Sequence, residues 1–288
     1  MKYQFMADHR EEFEITVMCR VLHVSRSGYY AWQKRPISAQ KMADQILSQH
    51  IKEIHQQSRQ TYGSPRIQAE LAEQGVNCGH KRVARLMRQA ELVAKQSRKF
   101  KVTTTDSAHP YPVAPNLLEQ DFTASRPNEK WLGDITYIPT AEGWLYLAVI
   151  LDLYSRRIVG WAMRDSLERQ LVIAALQMAI QMRQPPPGLL HHSDRGSQYA
   201  SDDYQALLTQ HQMCCSMSRK GNCYDNAPTE SFFGTLKTEL VHHCQYQTKA
   251  EAQTDIFEYI EVFYNRLRRH SALAYQSPVN FEKLAFID

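Results

Sequence analysis

The stretch WLGDITYIPTAEGWLYLAVILDLYSRRIVGWAM, residues 131–163, has the pattern of three consecutive β-strands. WLGDITYIP is rich in β-branched and aromatic residues, and the tight turn AEG follows it. WLYLAVILDLYS is a long apolar run, which is typical of a strand buried in the centre of a sheet, and RRIVGWAM supplies the third strand. Because the connections are short, we expect an antiparallel meander, with Trp131, Trp144 and Trp161 in the core.

The sequence after this meander alternates between helical and strand patterns. A helix is predicted over 167–182, a strand over 188–194, a helix over 201–212 and a short strand at CCSMS, residues 214–218. Pro228 then signals the start of another helix, along which apolar residues recur at helical spacing. The order βββ-α-β-α-β-α predicts an α/β domain, with a mixed five-stranded sheet and flanking helices.

The residues before the meander have helical patterns instead. Residues 15–33 and 62–92 each read as two helices around a turn, the arrangement of a helix-turn-helix. Thr, Ser, Pro and Asn dominate the stretch that follows, as in a linker. We therefore predict a helix-turn-helix-like segment at 10–40, a second helix-turn-helix domain at 41–103, a linker at 104–126, and the α/β core with a C-terminal helical tail at 127–288.

Charge is distributed unevenly along the chain. The first 110 residues contain 18 of the 34 Lys and Arg residues and 10 of the 30 Asp and Glu residues, a net charge of +8. The remainder carries −4, which brings the total to +4. On the helix predicted from His80, four basic side chains lie opposite an apolar face: Lys81, Arg82, Arg85 and Arg88. Such a face is either simply solvated or laid against DNA phosphates and guanine edges.

Composition excludes several classes of protein. No run of 18 apolar residues offers a membrane span, and Glu11, Glu12 and Glu14 interrupt any signal peptide. The six cysteines form no CxxC pair, which favours reduced thiols over a disulfide framework. We expect a cytoplasmic protein.

Three acidic residues occupy the ends or edges of predicted elements. Asp134 lies within the first strand, Asp194 ends a later strand, and Glu230 falls in the first turn of the helix after Pro228. Intervals of 59 and 35 residues separate them. Since the helix dipole favours a carboxylate in a first helical turn, Glu230 also has a purely structural reading.

Three carboxylates brought together would repel one another unless a cation lay between them. Mg²⁺ prefers such oxygen ligands, and two ions about 3.5–4 Å apart support in-line displacement at a phosphodiester. Lys237 follows Glu230 by two helical turns on the same face. Its position suits either a surface lysine or a contact to a DNA phosphate.

Six stretches together resemble one known family. They are WLGDITYI, HHSDRGSQY, GNCYDNAPTESFFGTLK, CRVLHVSRSGYYAW, YGSPRIQAEL and YNRLRRHSALAYQSPVNFE. They are similar to Asp-Asp-Glu transposases and retroviral integrases, and more narrowly to the second open reading frame product, OrfB, of the insertion-sequence-three family. The resemblance covers nearly the whole chain, and the 35-residue interval with a lysine seven residues after the glutamate matches the family pattern.

The resemblance implies an RNase H-like integrase catalytic core and a DNA transposase. It implies that Asp134, Asp194 and Glu230 are catalytic and bind Mg²⁺ or Mn²⁺, with two ions per site, and that Lys237 contacts the element's terminal DNA. Metal-dependent 3′-end cleavage and strand transfer would be the reaction. The implied partners are double-stranded DNA, as terminal inverted repeats and target, other copies of the chain, and an upstream-frame product fused to it or bound. A bacterial, nucleoid-associated location follows.

Two alternatives to this transposase remain at the level of sequence. One is a non-catalytic DNA-binding regulator or a degenerate element protein, against which the intact triad argues. The other is a different RNase H-like nuclease acting on RNA–DNA hybrids, against which the basic helix-turn-helix region argues. Metal-dependent cleavage separates the first from a transposase, and a comparison of hybrid with duplex substrates separates the second.

Overall fold

A computed structural model describes residues 1–95, 111–219 and 223–284 of the chain. The chain divides into two compact units, Met1–Lys52 and Glu53–Asp288. Helix α4 (Ala39–Gln57) crosses the division, so its residues belong to both units. Each unit is described below by itself.

The first unit contains three short helices before α4: α1 (Lys2–Asp8), α2 (Ile15–Val21) and α3 (Arg26–Gln33). Their shared core consists of Met6, Met18, Cys19 and Tyr29. Ser25 caps α3, because its Oγ accepts a hydrogen bond of 3.0 Å from the backbone N–H of Gly28. The predicted helix pair at this end of the chain is therefore present as α2 and α3.

The second unit begins with another helix pair, α5 (Ser64–Glu73) and α6 (His80–Gln89). Pro65 opens α5, where its missing N–H costs nothing, and Gly75 ends it with a φ of +79°. On α6 the apolar side chains of Val83, Leu86 and Met87 are buried. The sequence predicted this pair and its apolar face.

A five-stranded mixed sheet forms the centre of the second unit. Its strands are β1 (Lys130–Thr140), β2 (Gly143–Asp152), β3 (Ile158–Arg164), β4 (Leu190–Ser193) and β5 (Cys214–Met217). Their spatial order is β3-β2-β1-β4-β5. The first three strands pair antiparallel, whereas β4 runs parallel to β1 and β5 runs parallel to β4. The predicted meander and mixed sheet are confirmed.

Helices flank this sheet and follow it. They are α7 (Arg169–Arg183), α8 (Ser197–Ala200), α9 (Asp202–Gln210), α10 (Ala227–Glu239), α11 (Lys249–Glu258) and α12 (Pro278–Leu284). Single-turn 3₁₀ helices lie at Cys223–Asn226, Val241–His243 and Ser271–Leu273, and α11 continues into a π-helical segment at Tyr259–Leu267. Helices α7 and α9 share one apolar core with the sheet. None of the helices in the described ranges combines the length and apolar character needed to cross a bilayer.

Residues 111–126, part of the predicted linker, form no helix or strand but pack on the sheet. Leu118 is buried, and the backbone N–H of Leu117 donates to Ser216 Oγ over 2.8 Å. Asn116 Nδ2 donates to Asp225 Oδ2 over 2.9 Å. This segment therefore lies along the β5 side of the core. Residues 104–110 of the predicted linker lie outside the described residues.

Close packing of β3 against α7 depends on Gly160. A Cβ at this position would collide with the backbone oxygen of Ala175 and lie 2.7 Å from both the Cβ and the backbone nitrogen of Ala179. We expect Gly160→Ala to lower the free energy of unfolding by about 1–3 kcal/mol through overpacking, measured by urea denaturation. The matched control is Gly234→Ala on α10, where an added Cβ meets nothing within 4 Å. If both variants are equally stable, the close approach of β3 and α7 is not real.

A buried ion cluster joins the end of α10 to the C-terminal tail. The guanidinium of Arg268 donates to both oxygens of Glu239 over 2.7–3.0 Å, and Tyr259 OH donates to Glu239 Oε2 over 2.8 Å. Arg269 pairs with Glu70 on α5 over 2.6 Å and also with the neighbouring Glu73.

In the sequence, Arg266, Arg268 and Arg269 of the tail indicate either a solvated basic patch or contacts to DNA. For Arg268 and Arg269 that expectation is wrong, because both are buried in these ion pairs. Arg269 instead ties the tail to α5 within the second unit.

His270 lies beside this cluster and provides a pH-dependent test of it. Burial, together with the charges of Arg268, Arg66 and Arg156, lowers the pKa of His270 to about 2. Because an unfolded histidine has a pKa of about 6.5, the unfolded chain binds a proton at His270 at a higher pH than the folded chain does. The contribution of neutral His270 to the free energy of unfolding is therefore complete above about pH 6.5 and is lost as the pH falls below that value.

We expect His270→Asn to flatten the dependence of the unfolding free energy on pH. The wild type should lose up to about 1.4 kcal/mol more per pH unit than the variant between pH 6 and 4.5. Urea denaturation across that range measures the difference. Parallel curves for the two proteins would show that His270 is not held neutral in the fold.

Candidate active site

Asp134 and Asp194 lie side by side because of the register between two parallel strands. Gly133 of β1 is paired with Ser193, the last residue of β4, and an aspartate follows each of these two residues in the chain. Backbone N–H groups hold both carboxylates: Ile135 donates to Asp134 Oδ1 over 2.8 Å, and Gly196 donates to Asp194 Oδ1 over 2.9 Å. Both side chains are partly buried. The structure thus brings together two residues 60 positions apart in the chain.

Helix α10 brings the third acid to the same end of the sheet. Asn226, directly before α10, donates from Nδ2 to the backbone oxygen of Gly133 over 3.3 Å, which ties the start of the helix to β1. Glu230 lies in the first turn of α10 and is exposed. Asp225 accepts from the backbone N–H of Arg219 over 3.0 Å and is buried, so it builds the loop before the helix.

The charges of the three acids converge on Asp134. Burial raises the pKa of Asp134 well above its ordinary value, and the charges of Asp194 and Glu230 raise it further. Partial desolvation also raises the pKa of Glu230. Lys237 opposes this effect by lowering the pKa of Asp134. A site that concentrates negative charge in this way favours a bound cation.

The acids do not form a complete metal cage in this structure. In the part of the chain that is described, no group of three or more His, Cys, Asp or Glu side chains is placed so that it could hold a metal ion as it stands. Asp134 lies on β1 and Asp194 directly follows β4, whereas Glu230 is an exposed side chain on a helix. Glu230 is therefore the member whose position is least determined by the fold.

Lys237 lies on the face of α10 that faces β1. Its Nζ sits 4.7 Å from the ring centroid of Tyr137, a cation–π contact. Burial lowers the pKa of Lys237, and the charge of Asp134 raises it. The side chain is thus partly buried between the carboxylates and an aromatic ring, which is not the environment of an ordinary surface lysine.

Two histidines next to Asp194 are packed into the fold. His191 Nε2 lies 3.0 Å from Tyr204 OH, and His192 lies between Ser216 Oγ at 2.8 Å and Ser218 Oγ at 3.2 Å. Burial lowers the pKa of His191 to about 3 and that of His192 to about 4. Both rings are buried and neutral at pH 7.

Asp152 has a structural role away from the three acids. Its carboxylate accepts from the backbone N–H of Asn128 over 2.8 Å and from Trp131 Nε1 over 3.3 Å. Arg183 Nη2 lies 3.7 Å from the same carboxylate. These contacts satisfy a buried strand-end aspartate.

The basic residues of α6 lie on the side opposite its buried face. Lys81, Arg85 and Arg88 are exposed, while Arg82 is partly buried. Arg85 Nη1 donates to Gln89 Oε1 over 3.2 Å along the helix. The structure therefore presents three of the four predicted basic side chains to solvent on one helix.

Asn226 was not predicted as a site residue, yet it positions α10 through its contact with the backbone oxygen of Gly133. No local pattern in the sequence points to Gly133 as the partner of Asn226.

Comparisons with known proteins decide the family. The chain is 48% identical to "Transposase InsF for insertion sequence IS3A" of Escherichia coli (strain K12), with 98% of each chain covered. It is 51% identical to "Insertion element IS600 uncharacterized 31 kDa protein" of Shigella sonnei, over 92% of this chain and 97% of that protein. The chain belongs to the IS3 family of insertion-sequence transposases.

Family models match both the helical region and the α/β core of this transposase. The family model "HTH-like domain" matches residues 42–100, and two models described as "Integrase core domain" match residues 124–223 and 230–286. The first covers α5 and α6, and the other two cover the sheet and the helices after it. The α/β core is thus an integrase core preceded by a helix-turn-helix-like region.

Solved viral integrases are also similar to this transposase, at low identity. A simian T-cell lymphotropic virus intasome chain is 18% identical, with a TM-score of 0.48, over 75% of this chain and 70% of that chain. The HTLV-2 integrase catalytic core domain is 18% identical, with a TM-score of 0.44, over 56% of this chain and 99% of that chain.

Proposed function

We propose that this transposase cleaves DNA strands at the ends of its insertion sequence and joins the resulting 3′ ends to other phosphodiesters, using Asp134, Asp194 and Glu230. The observation that carries the proposal is the convergence of three negative charges on Asp134, two of them on adjacent strands. A protein gains nothing in stability from such an arrangement, so a ligand of opposite charge is the physical reason to keep it.

The donor set fits a hard divalent cation. All three groups offer carboxylate oxygens, the ligands that Mg²⁺ and Mn²⁺ prefer. Asp134 and Asp194 would hold the cation from the strands, and the exposed side chain of Glu230 would complete the set by a change of rotamer. Two such ions would supply Lewis-acid stabilisation of the attacking and leaving oxygens.

Other groups of the chain would hold the DNA and orient the carboxylates. Lys237, beside Asp134, would hold a phosphate of the element's terminal DNA and position it against the carboxylates. The backbone N–H groups of Ile135 and Gly196 keep the two aspartates oriented. No covalent protein–DNA intermediate is needed, because a strand's own 3′-hydroxyl is the nucleophile in the joining step.

Helix α6 would bind the duplex next to the site of reaction. Its exposed Lys81, Arg85 and Arg88 suit phosphate contacts, and each such contact strengthens binding in a salt-dependent way. Arg82, which is partly buried, would orient the others or reach the same backbone. This interface would recognise the terminal inverted repeats in the bacterial cytoplasm, at the nucleoid.

Joining two ends requires two DNA ends in one complex. We therefore include in the proposal that the transposase works as at least a dimer on DNA, and that an upstream-frame product is fused or bound to it. Cleavage assays should accordingly be run with the chain alone and with the upstream frame attached.

The test is strand cleavage and joining on DNA that carries the element's own ends, with Mg²⁺, Mn²⁺ or EDTA. Wild type should nick at the ends and join them only with a divalent ion, and Glu230→Gln should bind the same DNA but do neither. Binding without cleavage by the wild type, with and without the upstream frame, would instead support a non-catalytic regulator. Cleavage of RNA–DNA hybrids in preference to duplex ends would support a different nuclease.

A further inference from the structure

An exposed tryptophan stands at the turn between β1 and β2. Trp144 was expected in the core, but that expectation is wrong, because 48% of its surface is exposed. Trp144 is paired with Pro139 near the hairpin turn, beyond the part of the sheet that α7 covers. An exposed indole by itself is ordinary, so its neighbours decide whether it has a use.

Its neighbours are a tyrosine and the lysine of the active site. The rings of Trp144 and Tyr137 meet edge to face, with centroids 4.7 Å apart and an interplanar angle of 81°. On Tyr137 the Nζ of Lys237 lies 4.7 Å from the ring centroid. The three side chains form a continuous surface, which we call the aromatic ledge: Lys237, Tyr137 and Trp144.

The aromatic ledge begins at the carboxylates. Lys237 and Asp134 lie close enough for each charge to act on the other, and Lys237 alone links the ledge to the carboxylates, because Asp134 and Tyr137 are three residues apart on β1 and point to opposite faces of the strand. Strand β4 pairs with β1 only from Lys130 to Gly133. In the described structure, the rest of β1 is therefore not covered by β4, and the ledge runs outward along that stretch from the acids toward the hairpin turn.

We propose that the aromatic ledge binds an unpaired nucleobase of the DNA strand whose phosphate is held by Lys237, by stacking the base on Trp144. The inference rests on the proposed function and deepens it. Lys237 supplies the positive charge that a phosphate requires, and the nearest group on a nucleotide after its phosphate and sugar is its base. Tyr137 supports both neighbours, since its face contacts the ammonium group and it meets the indole edge to face.

The occupant must be an unpaired base because bases within a duplex are already stacked on their neighbours. Every base has a π-face, so this site would tolerate any sequence and would act by holding a frayed or overhanging end in place. Recognition of the terminal repeat would remain with α6. The ledge would instead separate the reacting strand from its complement next to the carboxylates.

The experiment compares two duplexes with the element's terminal sequence, one blunt and one with a short single-stranded overhang that contains 2-aminopurine. Binding of the full chain is measured in EDTA, so that no cleavage intervenes. We expect the wild type to prefer the overhang and to change the 2-aminopurine fluorescence. Trp144→Ala should weaken binding of the overhang duplex about tenfold and leave the blunt duplex unchanged, while Trp144→Phe retains most of the preference.

Phe257→Ala is the matched control, because Phe257 on α11 is similarly exposed, at 50%, and lies outside the ledge. It should bind both duplexes like the wild type. Unchanged binding of the overhang by Trp144→Ala, equal weakening for both duplexes, or no preference in the wild type would each overturn the inference. These outcomes leave the proposed function standing if the wild type cleaves with Mg²⁺, whereas loss of cleavage alone with an intact Trp144-dependent preference would overturn only the proposed function.

Discussion

Asp134→Asn is expected to abolish strand cleavage and joining while raising the melting temperature of the transposase in EDTA. Asparagine keeps the shape of the side chain but removes the charge on which Asp194 and Glu230 converge. Loss of a residue that acts as part of a catalytic unit costs on the order of 10³-fold or more in rate. Relief of the repulsion should raise the melting temperature by about 2–4 °C for each kcal/mol gained.

Divalent metal should reverse the order of stability of the wild type and the Asp134→Asn variant. Because a ligand that binds only the folded state stabilises it, Mg²⁺ should raise the melting temperature of the wild type and have little effect on Asp134→Asn. Asp203→Asn is the control, since Asp203 forms an exposed ion pair with Arg169, and its loss should change stability by less than about 0.5 kcal/mol. A variant that still joins strands, or that melts below the wild type in EDTA, would contradict the assignment of Asp134.

Glu239→Ala is expected to have the largest effect on stability. Glu239 is buried and accepts hydrogen bonds from Arg268 and Tyr259, so its removal leaves a buried guanidinium without its carboxylate. Breaking such a buried pair typically costs about 3–5 kcal/mol, and urea denaturation measures it as a lower midpoint. DNA cleavage should be lost in parallel under conditions where the variant is unfolded.

Two further variants distinguish a buried pair from a general effect of losing a carboxylate. Glu258→Ala removes a half-exposed partner of Arg59 and should cost less than about 1 kcal/mol. Glu239→Leu combined with Arg268→Met replaces both charges by apolar side chains and should recover most of the lost stability. If the double variant is no more stable than Glu239→Ala, the loss arises from packing and not from the unpaired arginine.

Local patterns predicted most of the fold. The long apolar run at β2 and the tight turn before it identified the meander, and the basic face of α6 followed from helical spacing alone. Asp134, Asp194 and Glu230 were selected by their places at the ends of elements, and by resemblance to a family. The register that pairs Gly133 with Ser193, however, is a long-range contact between strands, and no local pattern encodes it.

The errors have physical causes as well. Trp144 was placed in the core because tryptophan is apolar, but it lies near a hairpin turn and almost half of its surface is exposed. Arg268 and Arg269 were interpreted as solvated or as DNA contacts because a run of arginines is usually exposed, yet each forms an ion pair with a carboxylate of the fold. Which buried acid meets which buried base depends on tertiary packing, and the intervals along the chain do not specify it.

The division of the site between strands and a helix has a consequence for its dynamics. Asp134 belongs to β1 and is paired with β2, and Asp194 directly follows β4, so moving either one disturbs the pairing of a strand. Glu230 belongs to α10, which contacts β1 through side chains and can shift without opening a single strand pair. Amide hydrogen exchange in the first turn of α10 should therefore be faster than in β1, and we expect a small displacement of this one helix to move Glu230 toward or away from the two aspartates.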